Sequence, residues 1–177
     1  MKKYIYPLLI SSFLIGAIII FLLKFNSSKN DTLTDELSKI DTEMQSTWKN
    51  KQLVYPDELV PINTEIVFNT SINTKESLII NYLDADCSVC IDDLTLWEKY
   101  LKNNQKKAIF IISGSEKIKV DYMINDVLFF KHPVYYDEFD GFNQLNELSN
   151  YKAYHSFQVQ DNKVIKVGSP VLLENFK

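Results

Sequence analysis

The segment Leu78-Ile79-Ile80-Asn81-Tyr82-Leu83, continued by Asp84-Ala85-Asp86-Cys87-Ser88-Val89-Cys90, decides the reading of the chain. Its first six residues form a nearly continuous apolar run, the pattern of a strand covered on both faces. Its last four hold the only two cysteines of the protein, and a helical pattern begins there, with Cys90, Leu94, Trp97 and Leu101 recurring on one side. A thiolate is both nucleophile and leaving group in disulfide exchange. Two intervening residues at a helix start put one sulfur at the tip and the other within bonding reach, so the spacing points to a dithiol/disulfide pair.

Downstream, Ala108 to Ile112 is a second continuous apolar run ending at Ser113-Gly114. Strand, helix and strand in this order predict a parallel pair joined by a crossover. A helix over Lys117 to Asp126, the segment Leu128 to Phe130, a strand at Val134-Tyr135-Tyr136 and a short helix around Phe142 to Leu148 follow. Tyr154 to Val159 and Val164 to Val167 then flank Gln160-Asp161-Asn162-Lys163, whose Asp-Asn centre suits a tight hairpin turn, so the last two strands are expected to be antiparallel. Ser169-Pro170 offers an N-cap and a first-turn proline for a final stub of helix. Upstream, Leu53-Val54-Tyr55 and Glu65 to Phe68 read as short strands. There are no internal repeats or low-complexity tracts.

At the amino terminus, Tyr4 to Leu23 is an uncharged stretch of 20 residues, which would rise about 30 Å as a helix and cross a bilayer. Lys2, Lys3 and the terminal amine precede it while Lys24 and Lys29 follow, a modest bias towards a cytoplasmic amino terminus. The run exceeds the core of a cleaved signal peptide, and no small-residue cleavage site follows it. No cysteine ends it, so a lipid anchor is unsupported. The polar stretch 25–31 reads as a linker. Leu33, Leu37, Ile40, Met44 and Trp48 recur at helical spacing, predicting an amphipathic helix that docks on the domain. The expected organisation is an anchor over 1–24, linker and helix over 25–50, and one α/β domain over 51–177. That domain faces the periplasm or exterior, where disulfide chemistry is at home. A net charge of -4 with scattered lysines leaves no basic field for nucleic acid.

Other uses of the cysteine spacing fit less well. Structural zinc needs four ligands, and the chain offers two cysteines and two distant histidines, His132 and His155. Covalent haem attachment wants histidine after the second cysteine, where Ile91 stands. A structural disulfide stays open, although closing so small a loop constrains little unfolded-state entropy.

Leu78 to Leu83, the Cys87-Ser88-Val89-Cys90 motif and the hairpin Ser156-Phe157-Gln158-Val159-Gln160-Asp161-Asn162-Lys163-Val164 together resemble the thioredoxin-like thiol:disulfide oxidoreductases, especially the membrane-anchored TlpA/ResA-type members. The likeness spans roughly residues 50–172. It implies a thioredoxin-like fold, a central mixed sheet flanked by helices, with the cysteines at the carboxyl end of a middle strand. It also implies that Cys87 attacks and Cys90 resolves. Helix-terminal amides and dipole agree with that division, stabilising a thiolate at the first position by about 0.3–1 kcal/mol.

Three positions depart from the family pattern. Asp86 stands where thioredoxins carry tryptophan before the first cysteine. With Asp84, Asp92 and Asp93 it surrounds the motif with negative charge that opposes thiolate formation, predicting a reducing couple; these acids also favour a helix start. Asn81 stands where the family has a buried acid that accepts the resolving thiol's proton; an amide cannot do so, leaving His155 or Glu138 as conceivable bases. None of the five prolines precedes the penultimate strand, so the family's cis-proline position falls on His155 or Tyr154. A non-proline cis bond costs about 3 kcal/mol, which predicts a trans loop. His155 reads as a hydrogen-bonded loop residue, or as an imidazole beside the cysteines that tunes them or completes a copper(I) site with Cys87 and Cys90. Aromatics such as Tyr135, Tyr136, Phe139, Phe142 and Tyr151 read chiefly as core.

These readings converge on a membrane-tethered, extracytoplasmic reductase of protein disulfides. It would need polypeptide substrates and a membrane electron donor, and no cofactor beyond the Cys87–Cys90 disulfide. A copper(I) metallochaperone or sensor using Cys87, Cys90 and His155 and a non-catalytic interaction domain are the alternatives.

Overall fold

The computed structural model describes residues 35–66, 68, 77–86, 88–114 and 116–173. The apolar run Tyr4 to Leu23, the linker, Leu33 and Cys87 lie outside the described residues; among those described, no helix is long and apolar enough to cross a membrane. The chain divides into two compact units, 1–43 and 44–177.

A helix over residues 35–48, α1, runs across that division. In the first unit it carries a Lys39–Asp35 ion pair at 2.7 Å. In the second, Met44 and Trp48 from the expected stripe are buried, and Trp48 meets Phe157 edge-on at 4.7 Å.

The second unit is built on β2 (Leu78–Asp84), buried along six of its seven residues. The chain leaves β2 through α2 (Ser88–Asn104) and returns as β3 (Lys107–Ser113), parallel to β2 from Leu78↔Lys107 to Asp84↔Ser113. This is the crossover that the two apolar runs predict. β4 (Val134–Asp137) extends the parallel part beyond β3. On the other side of β2, β5 (Ser156–Gln160) runs antiparallel, followed by β6 (Lys163–Val167), and a two-residue β1 (Val60–Pro61) pairs antiparallel with β4. Among the described residues the sheet is six-stranded, in the order β1-β4-β3-β2-β5-β6.

Both faces are covered, which is why the central strands are apolar without alternation. On one face Ile79, Leu83, Phe110 and Ile112 pack with Leu94, Trp97 and Leu101 of α2, and with Val120 and Ile124 of the next helical segment. On the other, Tyr82 stacks on Phe142 at 5.9 Å, and Phe142 meets Phe157 at 6.3 Å. Each fully buried large apolar side chain contributes about 1.5–3 kcal/mol.

Local chemistry accounts for the remaining elements. Asp161 and Asn162 sit at φ 49° and 60°, the conformation a two-residue type I′ hairpin requires and these side chains tolerate. The Ser169 carbonyl accepts from Leu173 N–H at 3.0 Å, starting α5 (Pro170–Leu173) as the Ser-Pro pair predicts. The helix expected over 117–126 divides into α3 (Lys117–Tyr122) and a π-turn, Met123–Val127, where Leu128 N–H reaches the Met123 carbonyl. α4 (Gly141–Asn146) is capped by buried Asp137, whose carboxylate accepts from the Gly141 and Phe142 amides at 3.0 and 2.7 Å.

Three expected strands differ. Leu53-Val54-Tyr55 is not a strand: the Asn146 side chain takes the strand partner's place, accepting from Val54 N–H at 2.9 Å and donating to its carbonyl at 2.7 Å. Glu65 and Ile66 lie in a bend, while the strand falls earlier at Val60–Pro61. There, Asn63 ends the pairing by accepting from Val134 N–H and donating to the Phe130 and His132 carbonyls. Tyr154 belongs to a 3-10 turn, Lys152–Tyr154, and β5 starts at Ser156.

Candidate functional site

The carboxyl ends of β2 and β3 and the loop before β5 form the site region. After Asp84 the chain turns sharply: Asp84 Oδ1 accepts from Asp86 N–H at 3.0 Å, and Ala85 N–H donates to the Ser113 carbonyl at 2.7 Å. The loops approach so closely that a Cβ on Gly114 would lie 2.9 Å from Ala85 Cβ. Asp86 is exposed in this turn and Ser88 opens α2, so the described chain brackets Cys87, which itself lies outside the described residues. Cys90 lies in the first turn of α2.

His155 is fixed from three directions. Its carbonyl accepts from Tyr82 N–H at 2.9 Å, extending the β2–β5 pairing by one bond. Its ring lies edge-on to Tyr82 at 5.6 Å, and Nε2 donates to the Ser149 carbonyl at 2.7 Å. A carbonyl can only accept, so Nε2 carries a proton. Burial lowers the imidazole's pKa, partly opposed by the Ser149 bond. Tyr154 is buried; a Cβ on Gly168, at φ 112°, would come within 3.6 Å of its ring and 2.6 Å of Leu173. No cis peptide bond occurs among the described residues, so the loop before β5 is trans, as the missing proline predicts.

Asn81 lies deep in the sheet at 3% exposure. Ser156 Oγ donates to its Oδ1, while Nδ2 has no hydrogen-bond partner. It opens onto a cleft of about 270 Å³ that is also lined by Asp93, Trp97, Lys152, His155 and Ser169. Of the two bases considered for the missing acid, His155 shares this cleft; Glu138 is exposed in the turn after β4 and does not line it. Asp93 does, and burial raises its carboxyl pKa, reinforced by Asp92 and opposed by Lys152. Sequence reasoning treated Asp93 only as a helix-start charge. Its position four residues before Trp97, at the edge of the α2 apolar stripe, was the available signal.

Tyr82, on the opposite face of β2, donates its hydroxyl to Asp140; burial first, then this bond, raises its pKa. Among the described residues no group of three or more His, Cys, Asp or Glu side chains is arranged to hold a metal ion.

The parallel β2-α2-β3 unit joined to an antiparallel hairpin, with helices on both sheet faces, is the thioredoxin-like fold. No protein-family model matches the chain, and no curated protein matches it in sequence. Two of the solved structures that share the architecture illustrate the likeness. One is a Chlorobium tepidum protein provisionally assigned as the thiol:disulfide interchange protein DsbE, 14% identical, with a TM-score of 0.56 over 72% of this chain and 92% of that one. The other is a thioredoxin-like protein solved in its oxidised form, 11% identical, with a TM-score of 0.52 over 73% and 92% of the two chains.

Proposed function

We propose that this protein is a membrane-tethered thiol:disulfide oxidoreductase that reduces disulfides of extracytoplasmic proteins through Cys87 and Cys90. The observation that carries the reading is the position of the Cys87-Ser88-Val89-Cys90 motif in the chain, between the carboxyl end of β2 and the body of α2 in a thioredoxin-like fold. The likeness to a protein assigned to thiol:disulfide interchange supports it.

In the proposed reaction the Cys87 thiolate attacks one sulfur of a substrate disulfide, and the other substrate sulfur leaves as a thiolate that takes up a proton. The Cys90 thiolate then attacks Cys87 Sγ, releasing the second substrate thiol and leaving a Cys87–Cys90 disulfide. Two electrons have passed to the substrate, and a membrane dithiol donor restores the pair. The uncharged run Tyr4 to Leu23 supplies the tether, and its flanking lysines favour the domain on the outer side.

Insulin reduction by the full chain with dithiothreitol tests the activity. Cys87→Ser is expected to abolish turnover, and Cys90→Ser to accumulate mixed disulfides with partner proteins. A Cys90→Ser variant that traps nothing while retaining full activity would overturn the assignment. Absence of exchange, together with submicromolar copper(I) binding that depends on His155, would move the reading to a copper carrier.

A further inference from the structure

Charge is segregated along α2. The ten residues Asp84 to Asp93 at the cysteine end carry four acids and no lysine, while the nine residues Lys99 to Lys107 at the other end carry four lysines and no acid. The helix spans 17 residues, so about 25 Å separates its two ends. The loop before β4 reaches the lysine end. Phe130 packs on Phe110 at 4.9 Å within the core that also holds Leu101 and Ala108, and Glu98 lies close enough to His132 to oppose the fall in its pKa. In that loop Phe129 is 68% exposed and Val127 54%, with Lys131 exposed beside them. Leu128 N–H bonds the Met123 carbonyl and Phe130 N–H the Ile124 carbonyl, which closes the π-turn and leaves Phe129 at φ 50°, a left-handed position ordinarily held by glycine. A phenylalanine there is unfavourable to the backbone and to water alike.

Exposed apolar side chains flanked by lysines match the boundary of an anionic bilayer, where the ring enters the headgroup layer and the ammonium groups meet phosphates. Glu98 and Asp126 stand near the five lysines and leave the end positive. We propose that Val127, Phe129 and the lysine end of α2 form a face that rests on the outer surface of the anionic bilayer to which residues 4–23 tether the chain, turning the cysteine end away from the lipid. The inference rests on the tether of the proposed function and is independent of thiol exchange. The tether selects the lipid as occupant, because it keeps the domain within a linker's length of that surface. The reversed orientation is opposed, since it brings four acids onto the phosphates within a screening length.

The test is quenching by brominated lipid of the full chain carrying Phe129→Trp, reconstituted in phosphatidylcholine vesicles with and without phosphatidylglycerol. Phe139→Trp is the comparison, because Phe139 is 74% exposed in the turn after β4, at the cysteine end. Both variants share the buried Trp48 and Trp97 as background. With phosphatidylglycerol present, quenching at 129 is expected to exceed that at 139 at least about twofold, and replacing Lys102, Lys106 and Lys107 by Gln is expected to remove the excess. Should Phe129→Trp fail to fold, Val127→Trp gives the same reading. Equal quenching at 129 and 139, or an excess at 129 that is the same without phosphatidylglycerol, would overturn the proposal and leave the tether in place. Release of the chain from the vesicles by alkaline carbonate would overturn the tether, and this face with it.

Discussion

His155 shows how one side chain's surroundings set its affinity for a proton. Burial lowers the imidazole's pKa, partly opposed by the bond from Nε2 to the Ser149 carbonyl. In the unfolded chain it titrates near its ordinary value of about 6.5. As pH falls below that value the unfolded state takes up a proton that the native state refuses, so stability is full above it and is lost on the acid side until the native pKa is passed. His132, also lowered by burial, works in the same direction. Asp93, with its pKa raised, works in the opposite sense from the ordinary carboxylate range upward. Urea midpoints measured at neutral pH and near pH 5 are expected to lie closer together in His155→Gln than in the unaltered chain, because glutamine keeps a donor for Ser149 without the titration. An unchanged gap would show that His155 takes up its proton equally in the folded and unfolded states.

At the scale of elements, three side-chain amides finish what strands begin. Asn146 bonds both backbone groups of Val54, Asn63 terminates the β1–β4 pairing, and Gln45 donates to the Val167 carbonyl at 2.6 Å and accepts from its N–H at 3.2 Å. Each presents a donor and an acceptor at peptide-like spacing, so it can close a ladder where no strand continues. Val54 is half exposed, and water replaces part of what Asn146 supplies. Asn146→Ala is therefore expected to cost about 1.5 kcal/mol, the lower end for three lost hydrogen bonds, two with Val54 and one to the Phe142 carbonyl, measured by urea denaturation. The strand expected at Leu53 to Tyr55 failed for the same reason. Its β-branched and aromatic residues fit a pleated surface, but the partner that reaches it lies 92 residues away and is a side chain. The terminal hairpin was legible because its turn is decided by two adjacent residues, Asp161 and Asn162, that tolerate positive φ.

Across the whole molecule, the segment 44–51 is part of the second unit's architecture. Met44 and Trp48 are buried, Asn50 N–H donates to the Val164 carbonyl at 2.9 Å, and Val164 N–H donates to the Lys51 carbonyl at 2.8 Å. These bonds and the Gln45 clamp cover the outer edge of β6, which otherwise presents open backbone groups to another chain. A chain beginning at Met44 is expected to melt cooperatively near the temperature of the full chain. One beginning at Gln52 is expected to lose at least about 3–5 kcal/mol, through the Trp48 contact with Phe157 alone, and to associate through the bared edge. Circular-dichroism melts and sedimentation of the two truncations check this. Equal stability of both would show that the segment is an appendage.

The sequence by itself determined the β2-α2-β3 unit, the hairpin and the place of the cysteine motif between strand and helix. These follow from hydrophobic period and from turn chemistry within a few residues, so neighbours along the chain suffice to read them. It also marked Asn81 and the trans loop at Tyr154-His155 as departures. Only the tertiary structure decided that Asn81 is buried against Ser156 beside a cleft shared with Asp93, that Nε2 of His155 is taken by Ser149, and that amide side chains stand in for strands at Val54 and Val134. These depend on which groups meet across long sequence separations, and on which buried polar atoms find partners there.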